Sequence, residues 1–347
     1  MKKHLKRKSI NKYILLPLIL ALCLSNTTVI PSYFDNFPVK AYASEQIYPN
    51  PFPLILDCDD VDYMSYIPEI TAGSRAEAAL SISNPEIAIE ASAAVLLKSD
   101  GTVLYHKNAT KAVFPASTAK LLNALVVIEW CKMEEQVTVG REVGMLPEDS
   151  SKAGLKKGQV LTVWKLMNGL LLPSGNDSAY VLAAYVGRKS LKNPKAGNET
   201  AIKEFVRLMN AKAVKLGAEN SCFITPDGYD AIGQYTTAYD MARIALRASK
   251  SNYIKMITKY TKMSVTLSGG TKLTWTNTNQ LLDKKSIWYN PKAIGMKTGT
   301  TEMAGKCLIS AAANDLGTVI CVVMDSTTRG RWNDSNKLLN YGLKNLE

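Results

Sequence analysis

Histidine is almost absent from this chain, since only His4 and His106 occur among its 347 residues. The surrounding "LYHKN" places His106 where a strand passes into a loop, and we expect it to be an exposed hairpin residue. The sequence also has no G-x-S-x-G turn. Together these absences all but exclude a Ser-His-Asp hydrolase, which needs a histidine as its general base. A serine nucleophile in this chain would need another base.

Paired cysteines are missing as well. None of the six cysteines forms a C-x-x-C motif, which excludes the zinc and redox sites built on that spacing. Cys23 lies in the N-terminal segment, and the five that remain are scattered and odd in number, which does not suit a disulfide framework. Three of them lie in apolar runs and are predicted to be core residues: Cys131, Cys307 and Cys321.

The sequence has no apolar run of the roughly 20 residues that a membrane-spanning helix needs. Residues 13–24, "YILLPLILALCL", follow the basic "MKKHLKRKSINK" and precede "AYA" at residues 41–43. This order predicts a signal peptide over residues 1–43, cleaved after Ala43, and an extracytoplasmic mature protein on the cell-wall side of the membrane. A retained leader and a lipid anchor at Cys23 are the weaker alternatives.

The formal net charge of +12 is inflated by this basic leader. Because no block of Lys and Arg is interleaved with aromatic residues, nucleic acid is not an expected partner. The remaining positive charge is typical either of an ordinary basic secreted protein or of one attracted peripherally to the membrane or to anionic wall polymers. Charge alone does not separate the two.

The order of predicted elements indicates an α+β fold. Residues 44–88 are irregular, and their acidic "DCDDVD" lacks the pattern of a calcium loop, so we expect a solvated linker. Within residues 89–347, strands flank "KSDG", residues 132–285 are mostly helical, and three strands with a hairpin at 314–317 precede a helix over 334–346. The early and late strands then pair in one antiparallel sheet covered by helices, with a helical subdomain inserted.

The segment "FPASTAKLLNALVVIEW" at residues 114–130 could carry a nucleophile with its base. Ser117 and Lys120 are three residues apart, and therefore share one face of a helix. The apolar residues that follow predict a buried helix, and burial near a helix N-terminus lowers the pKa of a lysine towards that of a usable base. The alternative is a helix cap followed by a surface lysine.

Two further short motifs follow. Ser174-Gly175-Asn176 interrupts two helical runs, where a hydroxyl could relay a proton and an amide could bind a peptide backbone. Lys297-Thr298-Gly299, followed by Thr300, stands at the start of a predicted strand, where an edge could pair with a peptide. Each motif alone is equally consistent with a turn or a polar strand start.

The three motifs in this order form the S-x-x-K, S-x-N and K-T-G set of β-lactamases and penicillin-binding proteins. From residue 91 to residue 346 the chain resembles the low-molecular-mass penicillin-binding proteins of D-alanyl-D-alanine carboxypeptidase type. "GLLLPSGNDSAYVLA", "DGYDAIGQYTTAYDMARIA" and "GMKTGTTEMAGKCL" carry the likeness beyond the motifs. The resemblance implies a β-lactamase-like antiparallel sheet with helices on both faces and an inserted helical subdomain.

The resemblance also implies an activity. We expect an exported serine-type carboxypeptidase that removes the terminal D-alanine from peptidoglycan stem peptides ending in D-Ala-D-Ala. It would work through an acyl-enzyme, be trapped covalently by β-lactam antibiotics, and need no metal or organic cofactor.

Matching positions of the motifs carry over the family's roles. Ser117 would be the nucleophile, Lys120 its base, and Ser174 the relay to the leaving group. Asn176 would hold the substrate amide. The N–H groups of Ser117 and Thr300 would form the oxyanion hole. Lys297 would support the electrostatic field around Ser174 and the bound carboxylate. Thr298, Thr300 and Arg331 would hold the terminal carboxylate of the substrate, with Arg329 as the alternative to Arg331. Gly299 would complete the substrate-binding residues.

Three related activities are weighed against this interpretation. A class A β-lactamase deacylates with a glutamate-activated water, but no E-x-x-L-N follows Ser174 and "EFVRLMN" lacks the spacing. We therefore expect slow penicillin turnover. A D,D-endopeptidase acting on cross-links and a sensor module that is acylated without turnover stay open. The third residue of the stem peptide and the oligomeric state are not indicated.

Overall fold

The computed structural model describes residues 74–267 and 270–346 of the chain. The predicted signal peptide, most of the predicted linker, Cys23 and Cys58 lie outside the described residues. The α-helices follow one another along the chain as α1 (Ser74–Leu80), α2 (Lys120–Trp130), α3 (Val163–Leu171), α4 (Asn176–Ser190), α5 (Asn198–Lys215), α6 (Ala238–Ala248), α7 (Asn252–Lys259) and α8 (Gly330–Lys344).

The strands form one large sheet and two small hairpins. In chain order they are β1 (Ala93–Lys98), β2 (Val103–Lys107), β3 (Gln136–Thr138), β4 (Val160–Thr162), β5 (Lys262–Thr266), β6 (Lys272–Thr276), β7 (Ala293–Thr301), β8 (Gly305–Asn314) and β9 (Gly317–Ser326). The large sheet is antiparallel with strand order β2-β1-β9-β8-β7, so the early and late strands pair as predicted and β7 lies at one edge.

Both faces of this sheet are buried, as the sequence of β9 illustrates. All of its central residues, 319–324, are apolar because the side chains on each face are covered. Because successive side chains of a strand point to opposite faces, Cys321 and Val323 pack in a cluster with residues of α8. Ile320 and Val322 pack in the other cluster, which contains α2 and α6. The expectation of an α+β fold with helices on both faces of an antiparallel sheet is confirmed. Cys131, Cys307 and Cys321 are buried free thiols, as predicted.

Four local predictions need correction. Residues 132–285 contain the hairpins β3–β4 and β5–β6 in addition to helices. The helix α1 stands at the end of the segment that we expected to be irregular. The last helix begins at Gly330, four residues earlier than expected, and the Thr327 hydroxyl accepts a hydrogen bond from the Gly330 N–H. His106 lies within β2 and is half-buried rather than exposed.

Candidate active site

Ser117 lies in a tight turn that leads directly into the buried helix α2. Residues Ala116–Ala119 form a 3₁₀ turn, and Ala116 has a positive φ of 46°. In a 3₁₀ turn the side chains at i and i+3 eclipse one another, which brings Lys120 Nζ to 2.7 Å from Ser117 Oγ. Ser117 is half-buried, whereas Lys120 is fully buried. The serine therefore borders accessible space while its partner amine is shielded from water.

Lys120 Nζ is held by three acceptors. It donates to Ser117 Oγ, to Asn176 Oδ1 at 2.7 Å and to the carbonyl oxygen of Asp227 at 3.0 Å. Burial lowers the pKa of Lys120 to about 8, against the opposing negative charges of Asp227 and Asp177. Once neutral, the amine keeps two N–H donors for Asn176 and Asp227, and its lone pair faces the hydroxyl of Ser117. The same contacts therefore suit a proton acceptor.

The second motif lies at the junction between α3 and α4. Ser174 is buried and has a positive φ of 64°, a conformation that few non-glycine residues adopt outside constrained sites. Asn176 is the first residue of α4, and its backbone N–H donates to the carbonyl of Ser151 at 2.8 Å. The amide side chain is thus fixed at a helix N-terminus, with Oδ1 committed to Lys120.

Asp177 fixes the loop that covers this junction. Its buried carboxylate accepts hydrogen bonds from the backbone N–H groups of Ala153, Gly154, Leu155 and Ser178 at 2.8 to 2.9 Å. Asp177 also lies in the first turn of α4. The structure shows in addition that the carboxylate binds a loop more than twenty residues away, which helps to hold the second motif in place.

The third motif lies inside β7 rather than at its start, because the strand already pairs with β8 from Ala293. Lys297 is buried, and its Nζ donates to the carbonyl of Thr298 at 2.9 Å. Burial and then the charges of Lys120 and Arg331 hold the pKa of Lys297 well below its usual value. The Thr298 hydroxyl lies 2.5 Å from that of Thr278. The motif therefore has the buried amine of Lys297 near Lys120, together with the hydroxyl of Thr298, which is paired with that of Thr278.

Gly299 lets this edge strand approach the turn Ala116–Ala119. A Cβ at position 299 would lie 2.9 Å from Ala116 Cβ and 3.2 Å from Thr118 Cγ2, closer than side chains normally pack. The free edge of β7 and the turn that carries Ser117 are consequently adjacent.

Arg331 reaches the third motif from the first turn of α8. Its Nη1 donates to Thr300 Oγ1 at 3.1 Å and to the carbonyl of Gly299 at 3.4 Å. Arg329 precedes the helix and is exposed. Of the two arginines that the sequence leaves open, the geometry places Arg331 against Thr300.

Sequence reasoning missed the contribution of Asp227 and Gly228. The carbonyl of Asp227 binds Lys120, and Gly228, at a φ of +83°, packs on the turn Ala116–Ala119. A Cβ at position 228 would lie 1.9 Å from the carbonyl oxygen of Ala116. The only signal in the sequence is the Asp-Gly turn itself, which indicates a turn but not what the turn contacts.

The chain matches a known protein family over most of its length. A profile of the D-alanyl-D-alanine carboxypeptidase family matches residues 78–328. The chain belongs to the D-alanyl-D-alanine carboxypeptidase family. It is accordingly a serine hydrolase of the D-alanyl-D-alanine carboxypeptidase type.

Relatives in this family are similar over most of the chain. The D-alanyl-D-alanine carboxypeptidase of Streptomyces sp. strain K15 is 35% identical over 254 residues, which is 70% of this chain and 83% of that protein. D-alanyl-D-alanine carboxypeptidase DacF of Bacillus subtilis is 32% identical over 76% of this chain and 64% of its own length. The crystal structure of the Streptomyces K15 DD-transpeptidase superposes with a TM-score of 0.67 at 32% identity, covering 75% of this chain and 99% of that one.

The described residues contain neither a membrane-spanning helix nor a cluster of metal ligands. No helix in this part of the carboxypeptidase-family chain is long and apolar enough to cross a membrane. No group of three or more His, Cys, Asp or Glu side chains within residues 74–267 and 270–346 is arranged to bind a metal ion.

Proposed function

We propose that this protein is an exported D,D-carboxypeptidase that removes the terminal D-alanine of peptidoglycan stem peptides through an acyl-enzyme on Ser117. The observation that carries the proposal is the contact of 2.7 Å between Ser117 Oγ and the fully buried Lys120 Nζ. Family membership supplies the substrate class, and the predicted signal peptide supplies the extracytoplasmic location. β-Lactams are proposed to acylate the same oxygen.

In the proposed acylation step, neutral Lys120 takes the proton of Ser117 as Oγ attacks the carbonyl carbon of the penultimate D-alanine. The N–H groups of Ser117 and Thr300 donate to the oxyanion that forms. Ser174 passes the proton that Lys120 took from Ser117 on to the departing amine, and the C–N bond breaks to release D-alanine and return Lys120 to its neutral form. Water then hydrolyses the ester and regenerates Ser117. The closeness of β7 to the nucleophile turn at Gly299 supports this oxyanion hole.

The substrate carboxylate is proposed to bind between Thr298, Thr300 and Arg331, with Lys297 adding positive charge. Asn176 Nδ2 is proposed to bind the substrate backbone, since its Oδ1 is committed to Lys120. Burial and then the charges of Lys120 and Arg331 lower the pKa of Lys297, and burial lowers the pKa of Arg331, so an arriving carboxylate would stabilise both cations. A substrate with a free C-terminal carboxylate is therefore the best electrostatic match.

Replacing Arg331 with leucine should raise KM for a D-Ala-D-Ala peptide by about 10- to 100-fold, because a charge-assisted contact to the carboxylate is lost. Steady-state release of D-alanine measures this effect. Arg329→Leu is the matched control, and its KM should stay within about 2-fold of the wild type because Arg329 is exposed. Equal effects of the two substitutions would contradict the assignment of Arg331.

The activity itself is tested by two parallel reactions of the purified protein. A pentapeptide ending in D-Ala-D-Ala should yield many equivalents of D-alanine per enzyme, whereas penicillin should leave a long-lived adduct visible by intact mass. Release of a single equivalent would favour the sensor module. Cleavage of cross-linked dimers in preference to pentapeptides would favour the endopeptidase. Hydrolysis of benzylpenicillin at many cycles per second would contradict the proposal.

A further inference from the structure

Arg331 is a half-buried cation that has no carboxylate partner within the described part of the chain. Among the described residues, none of the ion pairs involves Arg331. Its Nη1 contacts only neutral oxygens, those of Thr300 and Gly299, and its Nε is buried without a hydrogen-bond acceptor in this part of the chain. A desolvated guanidinium needs compensation from some other source.

An aromatic face supplies that compensation. The guanidinium carbon of Arg331 lies 4.5 Å from the centroid of the Trp332 ring, within the range of a cation–π contact. Trp332 is almost fully buried. Its ring stacks on Trp288, with centroids 5.9 Å apart and an interplanar angle of 30°. The guanidinium thus rests on an indole that is itself stacked on a second indole.

Trp288 lies in the loop that leads into β7, and this loop is held by hydrogen bonds to α8. The carbonyl of Trp288 accepts a hydrogen bond from Asn336 Nδ2 at 3.0 Å, and Asn336 Oδ1 accepts one from Asn290 Nδ2 at 2.9 Å. The backbone N–H of Trp288 also donates to Ser286 Oγ at 3.1 Å. The loop is therefore linked to α8 through Asn336, which holds the backbone of Trp288 one helical turn away from Trp332.

We propose that Trp332 and Trp288 are positioning residues, which orient the Arg331 guanidinium towards the substrate carboxylate and stabilise its charge without supplying a competing anion. An Asp or Glu beside Arg331 would also stabilise the cation, but it would occupy the donors that the substrate carboxylate needs. An indole face attracts the cation and leaves the in-plane N–H donors free. This inference rests on the proposed function, in which Arg331 binds the terminal carboxylate.

The proposal is tested first by the kinetics of D-alanine release. Trp332→Leu and Trp288→Leu should raise KM for a D-Ala-D-Ala peptide by about 3- to 10-fold, with kcat within about 2-fold, as the loss of a cation–π contact implies. Trp332→Phe keeps an aromatic face and should recover most of the loss. Trp164→Leu is the matched control, because Trp164 forms a separate edge-to-face pair with Tyr253, and its KM should not change.

Coupling to Arg331 separates positioning from a general structural role. In an Arg331→Leu background, Trp332→Leu should raise KM by less than about 2-fold further. An equal increase in both backgrounds, or an unchanged KM in the single Trp332→Leu variant, would overturn the proposal. Failure of the wild type to release D-alanine would instead count against the proposed function.

If the wild type releases no D-alanine, the inference is still tested by unfolding experiments, which need no substrate. Urea unfolding of the wild type, Arg331→Leu, Trp332→Leu and the double variant forms a double-mutant cycle. The urea concentration at the unfolding midpoint should decrease in the double variant by less than the sum of the decreases in the two single variants. Strictly additive losses would show that the guanidinium and the indole do not stabilise one another, and would overturn the inference.

Discussion

Replacing Ser117 with alanine is expected to abolish both penicillin labelling and D-alanine release, with a loss on the order of 10⁴-fold or more. The substitution removes only Oγ, the atom that Lys120 Nζ contacts at 2.7 Å. Without this oxygen no acyl bond can form, and the remaining groups can only bind the substrate. Intact mass after incubation with penicillin, together with a D-alanine assay, measures both losses in one preparation.

Two controls belong with the Ser117 experiment. The alanine variant should unfold at a temperature close to that of the wild type, because Ser117 is half-buried and a methyl group fills most of its space. Ser81→Ala, on an exposed serine whose hydroxyl bonds only the carbonyl of Glu77, should keep full labelling. A penicillin adduct on any other residue of Ser117→Ala would contradict the nucleophile assignment.

Replacing Lys120 is expected to slow acylation by about 10²- to 10⁴-fold, the range for loss of a general base. Alanine removes the amine. Arginine keeps a positive charge but does not lose its proton in proteins, so it serves as the matched variant that tests proton transfer rather than charge. Stopped-flow or quenched-mass measurement of penicillin adduct formation gives the rate. Near-normal acylation in Lys120→Arg would contradict the role of Lys120 as base.

The pH dependence of wild-type acylation tests the same role without a substitution. The pKa of Lys120 lies at about 8, so the neutral amine becomes the major form as the pH rises through that value. The acylation rate should therefore increase from pH 6 and level off above about 8. A rate that falls over this interval would show that the reactive form of Lys120 is the ammonium.

Sequence patterns were sufficient for the parts of this molecule that depend on local spacing. The antiparallel sheet follows from apolar runs separated by turn residues, and the burial of α2 follows from "LLNALVVIEW", which has no polar face. The contact of Ser117 with Lys120 follows from their separation of three positions. The placement of S-x-N and K-T-G near this pair follows from the resemblance rather than from either motif alone.

Features that depend on long-range contacts were not visible in the sequence. The hairpin β5–β6 was missed although Met263, Val265, Leu273 and Trp275 alternate with polar residues, because helix α7 ends just before it. The acceptor on Asp227 is a backbone carbonyl, which every residue has and no pattern marks. The stack of Trp288 on Trp332 joins a loop to a helix more than forty residues away, and only the fold brings them together.

The Asp227–Gly228 turn has a consequence for how this enzyme could evolve under antibiotic pressure. One end of this dipeptide bonds the amine of Lys120, and the other end rests on the carbonyl of Ala116 beside Ser117. Any side chain at position 228 would displace Ser117 and Lys120 at once, so it should slow D-alanine release and the proposed acylation by β-lactams together. Substitutions that separate these two reactions are therefore expected to spare this turn.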